Sequence, residues 1–317
     1  MPSGAITSSF LIGPAHAPKL LVQPSHAVEG NVMKRRTRIA LGIALTGLVV
    51  AGIAGRAQML RMRARFEGRQ SDLDVMKQRP ADLGLQFESF NAINPEGTRI
   101  AGWWVPAKSA VGSIVMVHGF GGNKSTMLSR AVTLVDAGFN VALVDLRARG
   151  ESGGERADIG PGAADDVLAA ADALRSSGRL ASLPLVGYGL SHGARSVLLA
   201  AEKSRPQFAA IIAEAPPFSL REGLKRASGL PWVPPLPEGD LPATFDALRE
   251  QPILLLLGDS DPEISVEQAK SFLSGNVHPA SRVEVFTDTG HGVFSNQNRE
   301  EYRRRTAIFL ATAIKAK

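Results

Sequence analysis

The stretch Gly189-Leu190-Ser191-His192-Gly193 decides the fold of this chain. It follows an apolar run at residues 183–187 and precedes a helix-forming stretch at residues 194–203. A serine on so tight a strand-to-helix turn needs small residues two positions away on either side, because strand and helix pass closely there. The turn predicts an exposed Ser191 hydroxyl and a backbone N–H at His192 directed at an oxyanion forming beside it. The alternative is a glycine-rich turn that carries an ordinary serine.

The composition is that of an ordinary globular protein. The chain has 317 residues, of which 44% are hydrophobic and 21% charged, enough for one sizeable core. It contains no cysteine, which excludes disulfides, zinc–thiolate sites, iron–sulfur clusters and a cysteine nucleophile. No spacing of His, Asp and Glu stands out as a metal site, and we expect neither a metal nor another cofactor.

The net charge of +6 is concentrated at the N-terminal end of the chain. Residues 1–70 hold ten of the 36 basic and two of the 30 acidic residues, so the remainder holds 26 basic and 28 acidic residues. The larger part of the chain is therefore slightly acidic, and we expect no nucleic-acid partner for it.

The basic residues flank an uncharged apolar segment of 17 residues, 39–55. This length is at the short end of what spans a bilayer and slightly exceeds the apolar core of a signal peptide. We predict a membrane anchor within residues 34–70, with a cleaved signal or a buried soluble helix as alternatives. The denser charge before the segment favours an enzyme on the outer, extracytoplasmic side, anchored there or secreted after cleavage. Residues 1–33 are expected to be disordered, or an extension upstream of a true start at Met33.

From residue 83 onward, short apolar runs alternate with helix-length segments, the pattern of a sheet with crossover helices. Of eight predicted strands, the first two form an antiparallel hairpin and the other six are apolar runs of the type buried on both faces. The predicted strands are 86–93, 98–105, 113–117, 140–145, 183–187, 209–213, 252–257 and 282–286. The predicted helices are 125–137, 162–176, 192–203 and 298–314.

A proline-dense insertion, residues 216–250, separates the sixth and seventh predicted strands. Over the carboxyl edge of a parallel sheet, such an insertion suggests a short cap on a substrate site, and a plain surface connection is the alternative. Residues 83–315 then form a single domain that carries this insertion.

A serine nucleophile needs a base, and the base needs an acid to orient it. Asp261 follows the seventh predicted strand and His291 follows the eighth, so both lie at strand ends, as Ser191 does. Asp259 is the nearest competitor for the acid, and Glu263 is more remote. The chain order serine, aspartate, histidine is that of one of the unrelated triad arrangements.

In these features, residues 83–315 resemble the α/β-hydrolase superfamily of serine esterases, lipases and peptidases. The resemblance implies an α/β fold with a mostly parallel eight-stranded sheet flanked by helices. The stretch His118-Gly119-Phe120-Gly121-Gly122 follows the third predicted strand, where that superfamily places its oxyanion loop. This implies that the N–H of Phe120 joins that of His192, and that His118 has a structural, hydrogen-bonding role.

The stretch at residues 145–154 resembles the superfamily's loop after the fourth strand, but it has Arg149 where a histidine is frequent. The expected function is cleavage of a carboxylic ester or similar acyl bond in a small-molecule substrate by Ser191, His291 and Asp261. A peptidase of the same fold and a non-catalytic binding module are the alternatives.

Overall fold

The computed structural model describes residues 26–69, 71–180, 182–203, 208–222, 225, 241 and 246–314. The chain divides into two compact units, Met1–Arg63 and Ala64–Lys317. In the smaller unit, the described residues belong to the long helix α1, His26–Glu67, which continues into the larger unit. The larger unit contains an eight-stranded sheet with helices on both faces.

The sheet is mixed, and most of its strands run parallel. Its strands are β1 (Glu88–Ile93), β2 (Arg99–Val105), β3 (Gly112–Val117), β4 (Phe139–Val144), β5 (Leu185–Leu190), β6 (Ala210–Glu214), β7 (Ile253–Gly258) and β8 (Arg282–Phe286). Their spatial order is β1-β2-β4-β3-β5-β6-β7-β8. The pairs β1–β2 and β2–β4 are antiparallel, and the other pairs are parallel. The predicted hairpin and the mostly parallel sheet are confirmed.

Two apolar cores form, one on each face of the sheet. The helices that form them are α2 (Leu128–Asp136), α3 (Pro161–Ser176), α4 (His192–Lys203), α5 (Val266–Leu273) and α6 (Arg299–Ile314). Side chains of α3, α4 and α5 pack on one face, whereas those of α2 and α6 pack on the other. Successive residues of a strand point to opposite faces of the sheet. In β3, Val115 and Val117 pack in the core with α3, α4 and α5, whereas Ile114 and Met116 pack in the core with α2 and α6.

Two predicted strands differ from the structure in extent or burial, and the structure adds one helix. β5 starts after Pro184, which has no N–H to donate, and continues to Leu190, so the strand runs directly into Ser191. β8 is half-buried rather than buried on both faces, because it is the last strand at the edge of the sheet. Helix α5 was not predicted; it begins with a capping box in which Ser265 and Gln268 bond reciprocally.

Helix α1 contains the apolar segment identified in the sequence. Its stretch Thr37–Ala57, 21 residues with a mean hydropathy of 1.9, is long and apolar enough to cross a membrane, and none of its described side chains is buried. Exposed apolar side chains such as Leu41 (71%) and Leu48 (71%) line it. Residues 26–33 of the expected N-terminal extension are helical, and residues 1–25 lie outside the described residues.

Most of the expected cap at 216–250 lies outside the described residues. Residues 216–222, 225, 241 and 246–250 are described, and they include a hydrogen bond of 2.7 Å from the N–H of Leu241 to the carbonyl of Phe218. The cap therefore remains a prediction.

Candidate active site

Ser191 lies between the last residue of β5 and the first of α4, with a φ of +52° that is strained for a residue other than glycine. Two hydrogen bonds hold it. Its N–H donates to the carbonyl of Glu214 at 2.7 Å, and its carbonyl accepts the N–H of Arg195 at 3.1 Å. A Cβ on Gly189 would lie 2.2 Å from the carbonyl carbon of Gly193, so this turn requires glycine.

Three predicted site residues form a continuous hydrogen-bonded series. His291 Nε2 lies 2.9 Å from Ser191 Oγ, and His291 Nδ1 lies 2.9 Å from Asp261 Oδ2. The other oxygen of Asp261 accepts the N–H groups of Glu263 at 2.8 Å and Ile264 at 3.0 Å. With Nδ1–H donated to the carboxylate, Nε2 is free to accept the serine proton. The structure thus brings together Ser191, His291 and Asp261.

The two competing acids have other partners. Asp259 is exposed, and its carboxylate accepts the N–H of Thr289 at 3.3 Å and the hydroxyl of Ser260 at 3.0 Å. Glu263 contributes its backbone N–H to Asp261. Of the three carboxylates, Asp261 is the one that hydrogen-bonds to the imidazole.

The surroundings of His291 favour its protonated form. The hydrogen bond to Asp261 raises the pKa of His291 against the effect of burial, and the charges of Asp261, Glu263 and Glu214 add to the rise. Burial alone would raise the pKa of Asp261, but the hydrogen bonds from His291, Ile264 and Glu263 outweigh it and lower that pKa. A proton on His291 is therefore stabilised while Asp261 stays ionised.

The loop at residues 118–122 packs against Ser191. A Cβ placed on Gly119 would lie 3.5 Å from the Cβ of Ser191. His118 is buried; its Nδ1 donates to the carbonyl of Gly119 at 2.7 Å, and its Nε2 accepts the N–H of Leu146 at 3.2 Å. Because both ring nitrogens are engaged by backbone groups, the ring holds the loop in place, in agreement with the structural role predicted for it.

Phe120 and His192, whose N–H groups are the predicted oxyanion donors, lie beside one another. Their rings meet edge to face, with centroids 5.7 Å apart. Arg149 supports Phe120: its Nε donates to the Phe120 carbonyl at 3.2 Å, and its guanidinium carbon lies 4.9 Å from the ring centroid. Burial lowers the pKa of His192 to about 3, and His118, Arg195 and Arg149 act in the same direction. The His192 ring is therefore neutral at neutral pH.

Glu214 belongs to the site in the structure, but the sequence analysis did not predict it as a site residue. It is the last residue of β6, and its backbone carbonyl accepts the N–H of Ser191 at 2.7 Å. Its carboxylate accepts the N–H of Val293 at 2.6 Å, two residues beyond His291. The signal in the sequence is a carboxylate that directly follows the apolar run at 209–213, in the same kind of strand-end position that pointed to the other site residues.

No metal site accompanies these side chains. Within the described ranges, no group of three or more His, Cys, Asp or Glu side chains is placed to hold a metal ion. The imidazole of His291 is instead hydrogen-bonded to Ser191 and Asp261.

Sequence comparison finds one family and several relatives. The sequence model of the prolyl oligopeptidase family matches residues 125–317, a range that includes Ser191, Asp261 and His291. The protein YfhR of Escherichia coli K12 is 26% identical over 251 residues, which cover 72% of this chain and 81% of YfhR. The protein YqkD of Bacillus subtilis is 25% identical over 305 residues, which cover 87% of this chain and 97% of YqkD.

Structural comparison finds the same fold in known α/β serine hydrolases. An esterase of Pyrococcus furiosus superposes with a TM-score of 0.66 and 22% identity, covering 76% of this chain and 96% of the esterase. An α/β serine hydrolase of Xanthomonas campestris that lacks a lid superposes with a TM-score of 0.52 and 20% identity, covering 73% of this chain and 97% of that protein. Similarities at this level of identity establish the α/β-hydrolase fold, the fold predicted from the sequence.

Proposed function

This chain belongs to the prolyl oligopeptidase family of serine hydrolases, and on that premise we propose that it works by acyl transfer through Ser191, with carboxylic esters of small molecules as its substrates. The observation that carries the proposal is the hydrogen-bonded series from Ser191 Oγ through His291 to Asp261, with both links at 2.9 Å. The fold shared with the Pyrococcus furiosus esterase adds support for an ester substrate.

In the first half of the reaction, Ser191 Oγ attacks the ester carbonyl carbon while His291 Nε2 takes the hydroxyl proton. Asp261 holds the imidazole in position and stabilises the imidazolium that forms. The tetrahedral intermediate collapses when His291 returns the proton to the departing alcohol, which leaves the acyl group on Ser191. In the second half, water attacks this acyl-enzyme with His291 as the base, releasing the carboxylic acid and restoring the serine hydroxyl.

The negative oxygen of each tetrahedral intermediate needs hydrogen-bond donors that are already in position. We assign this role to the backbone N–H groups of Phe120 and His192. The assignment is supported by the packing of the loop at 118–122 on Ser191 and by the position of His192 in the first turn of α4, where backbone N–H groups have no partner within the helix. The dipole of that helix also favours negative charge at its N-terminus.

A peptidase is the second candidate, and the family match favours it. Both reactions use the same serine chemistry, in which His291 returns the proton to the leaving group, but an amide has the poorer leaving group. Substrate choice depends on the pocket around Ser191, which the predicted cap would cover.

A fluorophosphonate probe tests the proposal, because it reacts with a serine only when base and oxyanion donors activate it. We expect stoichiometric labelling of the wild-type protein at Ser191, measured by intact mass and peptide mapping. Ser191→Ala should not be labelled, whereas Ser274→Ala, which changes an exposed serine at the end of α5, should label as the wild type does. Absence of labelling in folded wild-type protein would favour a binding module.

A substrate panel separates the two candidate enzymes. We expect turnover of p-nitrophenyl esters, tested with short and long acyl chains, to exceed that of the matching aminoacyl p-nitroanilides. Faster turnover of the anilides, abolished by Ser191→Ala, would establish the peptidase and refute the esterase.

We also propose that α1 anchors the enzyme in a membrane through residues 39–55, with the larger unit on the extracytoplasmic side. The proposal is supported by the apolar, exposed stretch Thr37–Ala57 and by the denser basic charge before it. Protease added outside intact cells should then remove the larger unit, and protection from that protease would contradict this orientation.

A further inference from the structure

The buried side chain of Glu214 has a full set of partners that come from several elements of the fold. Arg130 of α2 donates to both carboxylate oxygens, from Nε at 2.8 Å and from Nη2 at 2.6 Å. The hydroxyl of Tyr188 on β5 donates to Oε2. Oε1 accepts the backbone N–H groups of Val293 at 2.6 Å and Phe294 at 3.3 Å. The carboxylate therefore joins the centre of the fold to the segment that follows His291.

That segment is short and sharply bent. Gly292 separates His291 from Val293 and has a φ of +87°, in the left-handed region that favours glycine. A Cβ on Gly292 would lie 3.6 Å from Glu214 Oε1. The bond from Val293 to Glu214 therefore lies two peptide units from the imidazole and leaves it little freedom to move.

Glu214 also contacts the serine side of the site. Its backbone carbonyl accepts the N–H of Ser191, whose strained backbone places the hydroxyl. One residue thus hydrogen-bonds to both Ser191 and the loop of His291, although it lies outside the series formed by Ser191, His291 and Asp261.

Keeping a carboxylate ionised at this depth is costly unless it is paired. Burial alone would raise the pKa of Glu214, but the charge of Arg130 and the hydrogen bonds from Arg130, Tyr188 and Val293 outweigh it and lower that pKa. Burial raises the pKa of Tyr188 and of Tyr302, so both hydroxyls stay protonated, and Tyr302 donates to the Tyr188 hydroxyl at 2.9 Å. An apolar side chain would fill this space without such a network, but it would offer no acceptor to the histidine loop.

We propose that Glu214 is a positioning residue that fixes the loop of His291 and thereby holds Nε2 at hydrogen-bond distance from Ser191 Oγ. The inference rests on the proposed function, because its readout is turnover by Ser191. Glu214 acts through the loop and through the charge it presents to His291, and it does not contact the reacting atoms.

Glu214→Gln is the direct test. Its amide keeps one oxygen but places an NH2 group against a nitrogen of Arg130 in either orientation, and in one of the two against the loop N–H groups as well. Because a displacement of about 1 Å in a catalytic group costs roughly 100-fold in rate, we expect kcat to fall by between about tenfold and 100-fold while KM changes less than about threefold. The rate of fluorophosphonate labelling should fall in parallel.

The pH profile distinguishes positioning from a general loss of stability. The groups whose charges act on His291 are Asp261, Glu263 and Glu214, and the cation of Arg130 sits beside Glu214. Removing the charge of Glu214 removes an attraction for the imidazolium and leaves Arg130 unpaired. The acidic limb of kcat/KM should therefore move to lower pH in Glu214→Gln, whereas partial unfolding would lower its amplitude without moving it.

Tyr302→Phe is the matched control, because it deletes a buried hydroxyl of the same network without touching the carboxylate. It should reduce the thermal midpoint but leave the pH profile and kcat near those of the wild type. If Glu214→Gln fails to fold, Glu214→Leu combined with Arg130→Met removes both charges and still deprives Val293 of its acceptor. We expect that double variant to fold and to lose kcat to a similar extent.

Failure of the role proposed for Glu214 can be told apart from failure of the proposed function. Wild-type protein that neither labels nor turns over esters or anilides refutes the proposed function. Active wild type together with a folded Glu214→Gln, or double variant, of unchanged kcat and pH profile refutes the role of Glu214 and leaves the proposed function standing.

Discussion

Asp261 and Asp259 are two residues apart, yet their carboxylates have different tasks. Asp261 hydrogen-bonds to His291, and Asp259 bonds to the backbone of Thr289. We predict that Asp261→Asn lowers kcat about 10⁴-fold, because an amide stabilises the wrong tautomer of the imidazole. Asp259→Asn, the matched control, should stay within about tenfold of the wild type. Steady-state ester hydrolysis checks both, and a larger loss for Asp259→Asn would reassign the acid.

The acidic limb of the activity profile belongs to His291. A base must be unprotonated, so kcat/KM rises with pH through the pKa of His291, which Asp261 raises above the usual 6.5. Burial lowers the pKa of both His118 and His192, so neither ring titrates on this limb. We predict a midpoint above pH 6.5 in the wild type, moving to lower pH in Asp261→Asn. A midpoint that does not move in that variant would contradict the assignment.

The site residues that could be predicted from the sequence are those that follow an apolar strand. Ser191, Asp261 and His291 each follow an apolar strand, and parallel strands bring such positions to one edge of the sheet. Glu214 occupies the same kind of position but was missed, because its importance comes from Arg130, 84 positions away in the chain, and from Val293, 79 positions away. Contacts at such distances leave no local pattern.

At the scale of elements, the loop that follows β4 holds the loop that follows β3. Arg149 hydrogen-bonds to the carbonyl of Phe120 and packs on its ring, although a histidine is frequent at this position in the superfamily. We predict that Arg149→Met lowers kcat about tenfold with little change in KM, because a less ordered Phe120 N–H weakens oxyanion binding, where a whole donor is worth about 3 kcal/mol.

Two measurements check that prediction. Kinetics of ester hydrolysis should show the loss in kcat, and a boronic acid that mimics the tetrahedral intermediate should bind Arg149→Met more weakly by a similar factor. Arg175→Met, which removes an exposed arginine of α3 paired with Asp172, is the control and should match the wild type. Unchanged boronate affinity in Arg149→Met would show that Arg149 does not act on the oxyanion loop.

Short and marginal elements limit prediction from sequence. Helix α5 has only eight residues, about two turns, so an apolar pattern has little length in which to repeat, and its clearest signal is the capping pair Ser265 and Gln268. β8 alternates the charged residues Arg282 and Glu284 with apolar ones, and as an edge strand it has one neighbour and stays half-buried. Apart from β5, the strands that lie between two neighbours were predicted to within one residue at each end.

At the scale of the molecule, parallel strand order explains how residues 100 positions apart meet. β5, β6, β7 and β8 are successive neighbours in the sheet, so the loops after them are also neighbours. A Cβ on Gly258, the last residue of β7, would lie 2.0 Å from the carbonyl oxygen of Thr289, which shows how closely the loops bearing Asp261 and His291 pack. The sequence predicts this convergence, whereas side-chain packing decides its distances.

The uneven charge distribution indicates that residues 1–70 and the rest of the chain occupy different environments. Residues 1–70 carry ten basic and two acidic residues around an apolar segment, and the remainder is slightly acidic. We predict that the full chain stays in membranes washed with alkaline carbonate. Leu45→Asp combined with Val49→Asp should release it, because each aspartate at the centre of a bilayer costs about 3 kcal/mol.

The released variant should keep its fluorophosphonate labelling, since both substitutions lie in the smaller unit and Ser191 in the larger one. Ile308→Asp is the control: it places one aspartate on an exposed apolar position of α6, 48% accessible, and should leave membrane retention unchanged. Intact mass of the retained protein decides between anchor and signal, because an anchor keeps residues 39–55. Soluble wild-type protein whose N-terminus lies beyond residue 55 would establish a cleaved signal and refute the anchor, with the chemistry at Ser191 unaffected.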